Sequence, residues 1–164
     1  MKNSSIIIIL AFLFFIPAAK GQSTTENKKV VLRYIEEVIN LRKLDLVNEI
    51  FAEKFIRHDL MENSEKVFTI ADQRQSIAEL IRVFPDLYYS VGEVIAEGDK
   101  VVMRAVMRGT PKESFMGIEP SGNRIDYISE IFFFRLENGK IVERWGQFDK
   151  YNLIKKMEGD KRKR

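Results

Sequence analysis

Three side chains in this sequence have the type and surroundings to move a proton. His58 is the only histidine, and an imidazole with its ordinary pKa near 6.5 exchanges protons close to neutral pH. Glu130 stands among Ile128, Ile131, Phe132, Phe133 and Phe134. A carboxyl group in so apolar a strand loses hydration that favours its charge, which suits a general acid or base. Asp149 follows the last strand-like stretch, where it either approaches a pocket mouth or caps the next helix. Each also has a purely structural reading: His58 as a hydrogen-bonded strand end, Glu130 facing solvent or paired with Arg104 or Arg144. Asp59, beside His58, either orients the ring or caps the next turn.

An apolar ligand would need walls, and the aromatic residues offer them. Trp145, Phe132, Phe134 and Tyr34, with Phe115 and Met116 from a loop, are candidates for substrate contact, although such stripes also build plain core. Other chemistries lack their residues. With no cysteine, disulfides, thiolate nucleophiles and Cys-ligated zinc are excluded. No spacing of His, Asp and Glu suggests a metal site, and no serine sits in a nucleophile elbow. The glycines at 117 and 122 are too few, and lack the Gly-Lys-Ser/Thr ending, to cradle phosphate.

Helices must come first along the chain and strands later. Ser23-Thr24-Thr25-Glu26 can form a capping box, after which Val30, Tyr34 and Val38 align beside Val31, Ile35 and Ile39, predicting a helix over residues 24–41. Asp45 can cap a shorter helix carrying Leu46, Val47, Ile50 and Phe51, followed by a short extended piece over residues 55–58. A third helix begins at Thr69, with Asp72 three residues on, and stops at Pro85. Alternation over residues 87–96 and 101–107 gives one hairpin, and residues 125–136 and 141–148 give a second around Asn138-Gly139. Residues 151–157 close as a helical turn or two. Three helices followed by four antiparallel strands imply one α+β domain.

The ends carry a different message. A positive start, an unbroken apolar run over residues 6–16 and a small-residue stretch ending at Gly21 read as a signal peptide, residues 1–21, cut before Gln22. The run rises about 16 Å as a helix, roughly half a bilayer core, so no stable membrane anchor is expected after its removal. Lys2 and Lys20 leave with it, so the formal charge of +3 falls to +1. Much of the basic character lies at Lys155, Lys156 and the 158–164 tail, which argues against nucleic acid as a partner. The mature protein is expected outside the cytoplasm, secreted or periplasmic, with its domain over residues 22–157.

Several stretches, in this order, resemble the SnoaL-like polyketide cyclases and predicted ester cyclases of the nuclear-transport-factor-2-like superfamily. They are Phe55-Ile56-Arg57-His58-Asp59, Phe84-Pro85-Asp86-Leu87, Ala96-Glu97-Gly98-Asp99-Lys100, Arg108-Gly109-Thr110, Phe115-Met116-Gly117 with Glu119-Pro120-Ser121-Gly122, and Asn138-Gly139-Lys140 with Arg144-Trp145. The resemblance implies a cone: a bent antiparallel sheet with helices over its open side, enclosing an apolar cavity, and often a homodimer through the exposed sheet face. It also implies ring closure by aldol chemistry with an aspartate as acid/base and no cofactor. That aspartate follows the tryptophan in the family, whereas Trp145 is followed here by Gly146, which has no proton to give or take. The histidine usual before the tryptophan is Arg144, a further substrate-contact candidate. A polar family position on the preceding strand is Phe132. His58 stands where the family often has a cavity-rim histidine.

The register of the last hairpin decides which residues share a face. A two-residue turn at Asn138-Gly139 sets Phe132 opposite Trp145; a three-residue loop with a bulge sets Phe132 opposite Arg144 and Glu130 opposite Gly146. The second is preferred, because the family positions flanking the tryptophan face the pocket. The expected function is binding of a small, largely apolar carbonyl or ester compound, either with proton-transfer catalysis by Glu130, His58 or Asp149, or without any catalysis.

Overall fold

The computed structural model describes residues 23–59 and 63–159. The expected signal peptide, residues 1–21, and the basic tail beyond Gly159 lie outside them. Ser23 caps α1 (Thr24–Arg33) by accepting a bond from the Glu26 amide. The predicted helix continues, but as a π-helix over Tyr34–Asn40, with the Leu41 amide donating to the Glu36 carbonyl five residues back. The wider turn buries Tyr34, Ile35, Val38 and Ile39 together. The second helix is shorter than expected: a 3₁₀ turn at Leu44–Leu46 and one α turn, α2 (Val47–Ile50), with no cap from Asp45.

Phe51, expected on that helix, instead begins β1 (Phe51–Asp59), and β2 (Ser64–Thr69) pairs antiparallel with it. Thr69 then opens α3 (Ile70–Val83) through the predicted capping box, the Asp72 amide donating to Thr69 Oγ1 and the Thr69 amide to Asp72 Oδ2. Strands β3 (Tyr88–Glu97), β4 (Lys100–Gly109), β5 (Ile125–Glu137) and β6 (Lys140–Phe148) follow as two hairpins, and α4 (Lys150–Glu158) ends the described chain.

The six strands form one curved, open sheet in the order β2-β1-β6-β5-β4-β3. This corrects the expected run of four antiparallel strands. Two strands precede α3, and β1 lies parallel to β6. Bulges interrupt β3 between Val91 and Val94 and the β5–β6 pair beyond Arg135. A residue without a partner bends and twists its strand, so these irregularities curve the sheet. The inner face, carrying Val101, Met103, Ala105, Ile128, Phe132 and Phe134, is buried against the helices. Alternation then leaves Arg104, Ile131, Phe133 and Trp145 on the outer face.

The last hairpin adopts neither anticipated register in full. Asn138 and Gly139, both at positive φ (49° and 78°), make the two-residue turn, so Glu137 faces Lys140 and Leu136 faces Ile141. A bulge at Val142 then slips the ladder by one residue, so that Phe132 faces Gly146 and Glu130 faces Phe148. The preferred pairing of Glu130 with Gly146 is therefore corrected. Glu130, Phe132, Phe134, Arg144 and Gly146 still share the inner face, because the extra residue restores the parity that a plain two-residue hairpin would have reversed.

Candidate functional site

Between the inner face and the helices lies a cavity with two lobes of about 350 and 440 Å³, which share Arg57, Phe115, Met116, Phe132 and Arg144 as walls. The first lobe adds Glu130, Gly146, Phe148 and Lys150. The second adds Tyr34, Gln73, Leu80, Val83 and Tyr89.

Glu130 is the chemically distinctive member, only 9% exposed on the inner face of β5. Burial pushes its carboxyl up from the ordinary 4.5 to about 7, against the opposing pull of a Tyr89 hydrogen bond and the Arg144 charge. Tyr89 Oη donates to Glu130 Oε1 at 3.0 Å. Burial first, then the neighbouring Glu130 charge, holds the Tyr89 phenol well above its usual range, so it remains a donor. Tyr89 is held in place by its neighbours. Asn40, last residue of the π-helix, clamps Tyr89 by donating to its carbonyl and accepting from its amide, both at 2.9 Å. Arg42, at positive φ (62°), donates to the Leu87 carbonyl at 2.7 Å and anchors the start of the same strand.

Arg144 is a cation held by rings rather than by acids. Its guanidinium carbon lies 5.2 Å from the Phe132 ring centroid and 5.9 Å from that of Tyr34. It makes no salt bridge among the described residues, and its buried Nε has no hydrogen-bond partner. Gln73, 1% exposed, donates to Tyr34 Oη at 2.9 Å but leaves its own Oε1 without a partner. Both atoms belong to residues of the cavity wall, where a bound molecule or water would satisfy them.

The other sequence-selected residues divide between the two faces. Phe132, Phe115, Met116, Tyr34 and Arg144 line the cavity with Glu130. Phe134 is fully buried behind Tyr34, ring centroids 6.1 Å apart edge to face, and borders neither lobe. His58 borders the first lobe, but its ring stacks on Trp145 at 4.1 Å and an interplanar angle of 2°. Its Nε2 lies 3.1 Å from Glu143 Oε2. Burial pushes the Glu143 carboxyl up, but hydrogen bonds from Arg135 and His58 outweigh it and bring the net shift below the ordinary value. His58 thus shares the first lobe's lining with Glu130, while its ring and Nε2 are engaged by Trp145 and Glu143 of the outer face. Asp149 caps α4, accepting from the Asn152 amide at 3.0 Å and from its side chain at 2.6 Å. Those bonds from Asn152 hold its carboxyl below the ordinary range.

Sequence reasoning passed over Tyr89 and Gln73. Tyr89 lay inside a recognised alternating stretch, and only the knowledge of which face turns inward would have selected it. Gln73, on the apolar side of α3 near Ile77, was the better signal: a polar residue in a buried helical stripe needs a partner. Among the described residues no cluster of His, Asp and Glu could hold a metal.

A curved open sheet whose helices cover an acid-bearing, partly aromatic cavity is the nuclear-transport-factor-2-like architecture. Residues 29–157 match the family model for SnoaL-like polyketide cyclases, and the chain belongs to that family. Its structure is similar to that of a protein from Jannaschia sp. CCS1 assigned as a SnoaL-like polyketide cyclase, with 26% identity and a TM-score of 0.75 over 85% of this chain and 99% of that one. AclR from Streptomyces galilaeus, assigned as a hydroxylase, is also 26% identical, with a TM-score of 0.68 over 80% of this chain and 94% of its own. A polyketide cyclase assignment from Acidithiobacillus ferrooxidans aligns at 20% identity and a TM-score of 0.70 over 83% and 99% of the two chains, which speaks for the fold alone. A search of curated proteins returns no match.

Proposed function

We propose that this is an exported small-molecule enzyme that moves a proton next to a carbonyl group, in the course of cyclising or isomerising a largely apolar carbonyl or ester compound. The observation that carries the reading is Glu130: a buried carboxyl on a cavity wall, poised near pH 7, with a phenol donor on one oxygen. A group that titrates near the working pH is effective as both base and acid. Ionised Glu130 takes the proton from the carbon beside the substrate carbonyl; Tyr89, its O–H released from the now neutral carboxyl, donates to the enolate oxygen; protonated Glu130 returns the proton at the end of the cycle. The reaction uses this chain's own residues and replaces the aspartate that Gly146 cannot supply.

The test is exchange of the α-protons of acetylacetone for deuterium, followed by NMR, together with its binding. Wild type is expected to accelerate exchange, and Glu130→Gln to abolish the acceleration while still binding. Acceleration that survives in Glu130→Gln refutes the assignment. Gly146 supports a second reading, a binder without catalysis, for which the wild type would bind but leave the exchange rate unchanged.

A homodimer through the outer sheet face fits the same reading. His58, Trp145, Phe133, Val102 and Ile95 are direct cross-strand neighbours running over five strands, with Ile95 67% and adjacent Ile131 51% exposed. Continuous apolar rows of this kind favour burial against a partner. Sedimentation should give a dimer for the wild type and a monomer for Ile131→Lys; a monomeric wild type overturns it.

A further inference from the structure

Resting on the reading of this cavity as a small-molecule site, we propose that its ligand carries a carboxylate that docks on Arg144 in the open space beside Gly146. Three observations converge on that spot. Arg144 is a cavity-wall guanidinium with no salt bridge among the described residues, feeling Glu130 only through its longer-range charge, and with an unpartnered Nε; two aromatic rings hold it in place but do not use its hydrogen-bonding edge. A charge taken partly out of water is favourable when it meets an opposite charge, and the planar guanidinium matches a carboxylate in two-point geometry. The protein thus leaves one side of an ion pair unfilled.

The space for the other side is next to it. A Cβ at Gly146 would sit 3.5 Å from Phe132 Cδ1 and 3.7 Å from Arg144 Nη2, ordinary contact distances. Neither a clash nor a positive φ accounts for glycine at this position. What glycine does is leave the first lobe open where a carboxylate would meet the guanidinium. The other basic side chains on that lobe add to its positive character. Arg57 and Lys150 stand on the same walls, and the only carboxyl there is Glu130. Glu130 Oε1 accepts from Tyr89, and its carboxyl makes no salt bridge with Arg144, whose charge reaches it only at longer range. The second lobe carries Glu79, which accepts from Gln75, and Arg82, which pairs with Glu113.

The rest of the walls describe the ligand's body. Phe115, Met116, Phe132 and Phe148 call for a flat apolar framework. Gln73 Oε1, on the second lobe, lacks a donor. A hydroxyl at the far end suits Gln73 whichever way its amide is turned, because a hydroxyl both donates and accepts. The substrate class is therefore a hydroxylated, largely aromatic or conjugated carboxylic acid, held at its acid end by Arg144 with its carbonyl region toward Glu130.

The experiment compares 2-naphthoate with the nearly isosteric neutral 2-naphthamide by calorimetry at pH 8, in wild type, Arg144→Gln and Gly146→Asp. Wild type is expected to bind the acid at least tenfold more tightly than the amide. Arg144→Gln should bring the ratio close to one. Gly146→Asp, which places a carboxylate of the protein's own against Arg144, should bring it to one or below, and it keeps the test alive if the arginine variant does not fold. Equal binding of acid and amide by the wild type overturns the inference while leaving the cavity a small-molecule site. Binding of neither up to millimolar concentration also overturns it, and the deuterium-exchange test then decides the catalytic reading on its own. A tenfold preference that survives in either variant overturns it as well.

Discussion

Replacing Glu130 with glutamine should change how stability depends on pH more than it changes stability itself. The folded protein keeps the Glu130 proton up to about pH 7, whereas an unburied glutamate releases it near 4.5. Across that window the native state binds more protons than the unfolded chain, so unfolding free energy falls as pH rises. The stabilisation is complete below about pH 4.5 and lost by the time pH passes 7. At about 1.4 kcal/mol for each pH unit, the whole window amounts to about 3 kcal/mol. Glutamine has the same shape, still accepts from Tyr89 through its Oε1, and never ionises. Urea unfolding of both proteins at half-unit intervals from pH 4.5 to 8.5 should show similar stability at the acid end. The variant should then gain on the wild type to a plateau about 3 kcal/mol higher above pH 7.5. Every other group titrates in both proteins and cancels in the difference. Parallel curves over this range would refute a buried, proton-holding Glu130, and with it the basis of the catalytic proposal. A difference that grew toward acid pH would mean that Glu130 is stabilised as the anion, through Arg144.

Tyr89→Phe removes the donor that favours ionised Glu130, so the midpoint of the deuterium-exchange pH profile should move above that of the wild type; an unmoved midpoint refutes the coupling. Gly139→Val places a β-branched side chain at φ 78°, and urea denaturation should register a loss of about 1–2 kcal/mol. An unchanged midpoint contradicts the turn. Thr69→Ala breaks the capping box of α3 and should cost about 1 kcal/mol in the same assay. Edman sequencing of the exported protein should begin at Gln22; a start at Met1 rejects the proposed cleavage.

What the sequence could and could not reveal follows the range of the forces involved. The α3 capping box and the Asn138-Gly139 turn depend on residues within a few positions of one another, and both stand where the pattern predicted. The mixed sheet did not show itself, because the pairing of β1 with β6 joins residues some eighty positions apart and no local signal announces it. Strand β2 was missed for a related reason: Ser64–Thr69 is mostly polar and exposed, an edge strand whose backbone partner matters more than its side chains. At the site, the apolar neighbours of Glu130 were enough to anticipate a raised carboxyl. They were not enough to turn Trp145 away from the cavity, since one bulged residue at Val142 decides the parity of the rest of its strand.

The parallel pairing of β1 with β6 also sets the order in which this molecule can be made. The sheet joins the first of the described strands to the last of them. Until residues 140–148 exist, β1 and β2 can form only a two-stranded ribbon, which is marginal alone, and β5 has an open edge. Closure requires a long loop to be drawn in before any contact rewards it, which slows folding. A chain stopped before Lys140 would therefore lose more than one hairpin arm: it would fall into two fragments of sheet with no hydrogen-bonded strand between them. Completion of the sheet waits on β6, so the exposed edges of β1 and β5 are the surfaces that must be shielded until that strand has been made.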